Sequence, residues 1–176
     1  MIHDWFAVDH LDVDRLLVEW RWLCQGPVAL VARNAFADLF LRDASGQVYC
    51  LDVAIGKLTK VADSDKQFRE LATTRENQEE WFAIADEKAA VATGPEPNTT
   101  QCIGFAVPLV FAESGSPDTP YVADLYEHVS FLGDFKSPNR RAARGSKSAS
   151  RDCTEAVTLL VAAQARVVFA LFRGRK

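Results

Sequence analysis

The sequence predicts an α+β fold, an antiparallel β-meander packed with helices in a single domain, and three observations carry that expectation. After Gly26-Pro27 the apolar pattern leaves helical spacing and becomes short runs of branched and aromatic residues separated by turn formers. Ser64-Asp65-Lys66-Gln67 and Asp124-Leu125-Tyr126-Glu127 both have the form of a capping box, which announces a helix start. The chain has 176 residues, of which 48% are hydrophobic and 25% charged, so it can bury a core as an ordinary globular domain rather than remain disordered.

Taken in order, residues 4–23 place Leu16, Trp20 and Leu23 at helical spacing, with Asp12 or Asp14 as cap and Gly26-Pro27 as the stop. Four strands are expected over 28–33, 36–42, 47–53 and 57–62, with Asn34, Asp43-Ala44-Ser45-Gly46 and Ala54-Ile55-Gly56 between them. Leu39, Leu41, Val48, Leu51 and Leu58 are expected to share one buried face. Helices should cover 65–73, with Phe68 and Leu71 inward, and 79–91, burying Trp81, Phe82, Ile84 and Ala85. A strand over 102–111 is pushed towards an edge or bulge by Pro108, a polar loop covers 113–120, and a helix capped by Asp124 runs to Phe135. The domain organisation is then a helical segment over 1–25, the α+β domain over 26–135, a basic flexible linker over 136–152 and an apolar C-terminal helix over 153–176.

Charge divides unevenly. Residues 1–135 hold 22 acidic and 10 basic side chains, a formal −12, whereas residues 136–176 hold 2 acidic and 10 basic, a formal +8. Such a field steers oppositely charged partners at long range. The apolar stretch 154–172 is broken by Glu155, Gln164 and Arg166, so its continuous apolar content falls short of the ~20 residues of a membrane span and it is expected to dock on the domain or on a partner, with a membrane-surface helix as the alternative. Arg140, Arg141, Arg144, Lys147 and Arg151 could neutralise phosphates, but no aromatic residues are interleaved among them for base stacking.

Catalytic chemistry is sparse in the sequence. Cys24, Cys50, Cys102 and Cys153 form no C-x-x-C pair, and the N-terminus has no basic-then-apolar leader pattern, so free thiols in a reducing cytoplasm are expected. His3, His10 and His128 are scattered. His128 adjoins Glu127, but neighbours on a helix diverge by about 100°, which makes His128 a packing residue. Asp43 and Asp52 flank a hairpin as imaginable paired carboxylates, yet Gly46 makes Asp43 a turn residue. A phosphate loop would need clustered glycines, and Gly94 and Gly104 stand alone. No cofactor and no metal are expected.

One resemblance adds to this. The run DLFLRDASGQVYCLDVAIGKLTKVA (38–62), then Phe68-Arg69-Glu70-Leu71, Trp81-Phe82, Gln101-Cys102-Ile103-Gly104-Phe105 and LYEHVSFLGD (125–134) together resemble the C-terminal domain of type VI secretion immunity proteins that neutralise a DNase toxin. The resemblance covers about residues 26–135 and implies a bacterial cytoplasmic protein that is not an enzyme and binds a cognate toxin. A nuclease holds a polyanion in a basic cleft, which an acidic protein can occupy. Glu76, Glu79, Glu80, Asp86 and Glu87 are therefore the candidate partner-binding surface. Two other functions compete: a nucleic-acid or membrane-surface adaptor acting through the basic tail, and a small hydrolase using Asp52 or His128.

Overall fold

A computed structural model describes residues 4–94, 96–105, 120–138 and 140. The chain divides into two units, Met1–Ser137 and Pro138–Lys176, and every element below belongs to the first. The expected strand beyond 105, the loop over 113–119, most of the basic linker, the C-terminal helix and Cys153 lie outside the described residues.

The N-terminal segment forms α1 (Val13–Leu16) and a 3-10 turn (Val18–Trp20) in place of one amphipathic helix. Asp12 caps α1 by accepting the Arg15 N–H at 3.1 Å. The change to a tighter winding aligns Leu17 above Trp20, because side chains three apart eclipse in a 3-10 turn. Leu16, Leu17 and Trp20 are all fully buried as a result.

Four strands follow: β1 (Val28–Arg33), β2 (Leu39–Asp43), β3 (Val48–Asp52) and β4 (Lys57–Ala62). They pair antiparallel in chain order, the meander that the turn residues foretold. At the β2–β3 hairpin the Asp43 carboxylate collects the Ser45 N–H, the Ser45 hydroxyl and the Gln47 N–H, and Gly46 takes the left-handed φ of 90° that closes the turn.

Both faces of the sheet are buried, not one. Leu39, Leu41 and Leu51 pack with Leu16, Leu17 and Trp20, whereas Phe40 and Val48 pack on the opposite side with Phe68 and Phe82. Val48 thus leaves the face it was expected to share with Leu51. Side chains alternate along a strand, and two residues three apart must point to opposite faces. A bulge between Leu30 and Ala32 gives β1 one extra residue, and Val31 and Ala32 both join the second face.

The second face is roofed by α2 (Asp65–Leu71) and α3 (Arg75–Phe82), with α4 (Ile84–Thr93) continuing from them. Ser64 accepts the Gln67 N–H at 3.2 Å and the Gln67 side chain accepts from Asp63 N–H, a reciprocal cap. Thr74 caps α3 by accepting the Asn77 N–H at 3.3 Å, while the Asn77 side chain donates to the Leu71 carbonyl at 3.0 Å. Trp5 closes this layer: its ring stacks on Phe82 at 4.2 Å and its carbonyl accepts the Arg33 N–H at 2.9 Å.

The single helix expected over 79–91 is broken at Ala83, which adopts a left-handed φ of 49°. Phe82 and Ile84 both enter the second core. On an unbroken helix they would lie about 200° apart, so one would face solvent. The break lets the same core hold both.

A second, two-stranded sheet consists of β5 (Gln101–Phe105) and β6 (Pro120–Asp124), the latter not anticipated from the sequence. Asp124 then caps α5 (Leu125–Lys136), accepting the Glu127 N–H at 3.1 Å as the capping box implied. Leu125, Val129 and Leu132 of α5 bury against the first face. A Cβ at Gly133 would stand 2.8 Å from Trp20 Nε1 and 2.9 Å from the Glu19 carbonyl, so a hydrogen there is what admits α5 to this distance. Trp20 Nε1 donates to the Val129 carbonyl at 2.8 Å. The fold is α+β, with a sheet between two helical layers.

Candidate functional site

Of the five acidic residues expected to form one surface, four are exposed and one is not. Glu76 and Glu80, four apart on α3, share a helix face and are exposed, as is Asp86 on α4. Glu79 is exposed too, but its Oε2 accepts the Ala85 N–H at 3.0 Å, so it satisfies an orphan donor in the first turn of α4 across the Ala83 break. Glu87 is only 3% exposed and does not belong to the surface. Ile84, Glu87 and Ala90 recur every three residues along α4 and form its buried stripe. The Glu87 charge favours the guanidinium of Arg33, itself fully buried.

Arg33 is held at the end of β1 by bonds to the Asn34 carbonyl at 3.3 Å and the Thr99 carbonyl at 2.9 Å. Burial lowers its pKa, and the neighbouring Cys102 and Glu87 act in the opposite direction. The guanidinium thereby ties β1 to the segment that leads into β5.

Next to it stands Asn34, a polar side chain with four hydrogen bonds. Asn34 Nδ2 donates to Asp38 Oδ2 at 2.8 Å and to the Trp81 carbonyl at 3.0 Å. Its Oδ1 accepts the N–H groups of Phe36 and Asp38 at 3.0 and 2.9 Å. Two donors and two acceptors are the full capacity of an asparagine. The loop so pinned contains Ala37 at a left-handed φ of 75°, and the helix end so pinned precedes Ala83. Asp38 Oδ1 accepts the Val53 N–H at 3.0 Å, which adds the β3–β4 turn to the same network. Although Asp38 as a residue is only half-buried, its carboxyl is enclosed, and burial followed by the charge of Asp52 pushes its pKa up to about 7.

In the sequence Asp52 and Asp43 flank one hairpin, whereas the fold gives Asp52 a different carboxylate neighbour. The pairing of Leu39 with Leu51 carries the next residues outward, Asp38 and Asp52, to opposite positions. Asp43 faces away in its own turn, where the bond from Ser45 chiefly lowers its pKa. Asp52 also takes part in a turn, accepting the Ile55 N–H at 2.8 Å. Asn34 and Asp38 were missed as a site because Asn34 reads as a turn separator; the legible signal was two polar residues four apart around Ala35-Phe36-Ala37 in an otherwise apolar run.

His128 lies on α5, and burial depresses its pKa to about 4, which keeps the ring neutral at pH 7. Glu127 beside it is exposed. Burial pushes up the thiol of Cys24 to about 11, and raises those of Cys50 and Cys102 as well, so none is a thiolate at neutral pH. Among the described residues no group of three or more His, Cys, Asp or Glu is placed to hold a metal ion, and no helix is long and apolar enough to cross a membrane.

Comparison with protein-family models, with curated proteins and with solved structures finds no match for this chain.

Proposed function

We propose that this chain is a non-catalytic, cytoplasmic immunity-type protein that binds a cognate toxin with a basic, nucleic-acid-holding cleft and blocks it. The observation that supports the reading best is the exposed acidic set Glu76, Glu80 and Asp86 around the α3–α4 break, on a body whose residues 1–135 carry a formal charge of −12. A negative surface of this kind accelerates encounter with a basic cleft and competes with its phosphate substrate. The resemblance of residues 26–135 to the immunity family points to the same partner class. Glu87, buried against the core, has no part in the contact, and Glu79 serves α4 first.

The test is co-expression of the full chain with nuclease toxins, drawn first from any encoded beside its gene, scored by survival, followed by stopped-flow association of the protected pair. Protection is the expected result, with an association rate that drops at least tenfold for the triple substitution Glu76→Lys, Glu80→Lys, Asp86→Lys and falls with added salt. Loss of protection on deleting residues 137–176, with the triple variant unaffected, would transfer the function to the basic tail and overturn this reading.

A further inference from the structure

The Asp38 carboxyl has a geometry that ties its charge to the backbone around it. Both of its oxygens already receive donors, Oδ1 from Val53 N–H and Oδ2 from Asn34 Nδ2. A carboxylate accommodates a donor at each oxygen, whereas a protonated carboxyl must place its own hydrogen on an oxygen at which a donor points. One of the two bonds is therefore weakened whenever Asp38 gains a proton. Asn34 passes the effect on, because its second amide hydrogen holds the Trp81 carbonyl in the last turn of α3, two residues before the left-handed Ala83. Left-handed non-glycine residues persist only where their surroundings hold them.

Asp52 at the end of β3 opposes the ionisation of Asp38, while the bonds from Asn34 and Val53 favour it. Cys50, also on β3, lies in the same field and feels Asp38, Asp52 and Glu80 of α3. Lys57 is the β4 register partner of Asp52.

We propose that Asp38, Asn34 and Asp52 form a proton-responsive latch, in which uptake of one solvent proton by Asp38, beside the charge of Asp52, weakens its bond from Asn34 or Val53 and, through Asn34, loosens the α3–α4 junction. Enclosure of Asp38 and the like charge of Asp52 bring the transition to near-neutral pH. The latch concerns the fold itself and stands whether or not a toxin is bound.

The experiment is a pH titration of the isotopically labelled full chain by NMR, from about pH 5 to about pH 8.5, spanning the range in which an ordinary aspartate would already be ionised. The Asp38 carboxyl carbon, the Val53 amide and the Asn34 side-chain amide should move together with a midpoint near 7. Asp52→Asn, which keeps an oxygen for the Ile55 N–H, should shift that shared midpoint to lower pH. Asp38→Asn should abolish the transition; should that variant not fold, Asp52→Asn decides alone. An Asp38 carboxyl that titrates below about pH 5, Val53 and Asn34 signals that stay fixed while it titrates, or a midpoint unmoved in Asp52→Asn, would each overturn the latch.

Discussion

Asn34 and Asp38 hold each other at both ends: the Asn34 amide donates to the Asp38 carboxylate at 2.8 Å, and its carbonyl oxygen accepts the Asp38 backbone N–H at 2.9 Å. This pair, four residues apart, encloses the left-handed Ala37, which packs in the first core, and so fixes the β1–β2 connection. Removing the amide in Asn34→Ala strands the N–H groups of Phe36 and Asp38 and the Trp81 carbonyl. Polar groups left unpaired cost about 1–3 kcal/mol each when buried, and these three are partly buried, so a loss of about 3 kcal/mol is expected in urea denaturation. A loss under 1 kcal/mol would show that water replaces the network.

Asp38 and His128 give stability opposite dependences on pH. The folded Asp38 is raised to about 7, so between about pH 4 and pH 7 the native state binds a proton that the unfolded chain has released, and stability falls as pH rises. The folded His128 is lowered to about 4, so between about pH 4 and pH 6.5 the unfolded chain binds the extra proton, and stability rises with pH. Each effect is on the order of 3 kcal/mol, and in the native protein they largely offset each other below neutrality. His128→Gln should expose the falling limb and Asp38→Asn the rising one. Melting temperatures measured across this range check it, and parallel pH profiles for the two variants would contradict the assignment.

Ala83 stands where a helix end usually carries glycine. The left-handed conformation costs an alanine about 1–2 kcal/mol, against which glycine's greater freedom in the unfolded chain must be set. Ala83→Gly should stabilise the protein by about 0.5–1 kcal/mol, read as a higher denaturation midpoint at constant slope.

Gly133→Ala should act in the reverse sense. Its new methyl would meet the Trp20 ring nitrogen and the Glu19 carbonyl inside 3 Å, in a place where backbone as well as side chain must move. Overpacking of this kind costs about 1–3 kcal/mol. The Trp20 indole N–H resonance should shift, because its bond to Val129 spans the same contact.

Glu80 on α3 and Glu87 on α4 separate surface charge from burial. Glu80→Lys is expected to change stability by no more than about 0.5 kcal/mol, as for most exposed positions. Glu87→Lys puts a second cation beside the buried Arg33 and should cost about 3–5 kcal/mol. Chemical denaturation of both variants distinguishes them, and equal effects would contradict the burial of Glu87.

What the sequence determined by itself was local. The turn at Asp43–Gly46, the caps at Asp12, Ser64 and Asp124, the bounds of β1 and β4, and the α+β class all follow from hydrogen bonds and periodicities within a few residues. Tertiary structure decided everything that depends on which core a side chain must reach. It wound the N-terminal segment into a tight turn to bury Leu17 with Trp20, and broke the helix at Ala83 so that Phe82 and Ile84 could share one core. It also turned Glu87 inward beside Arg33 and set Asp38 opposite Asp52 rather than leaving Asp52 to Asp43. Backbone propensities act over single turns, but burial is settled between segments far apart in the chain, and the candidate site is made of those long-range choices.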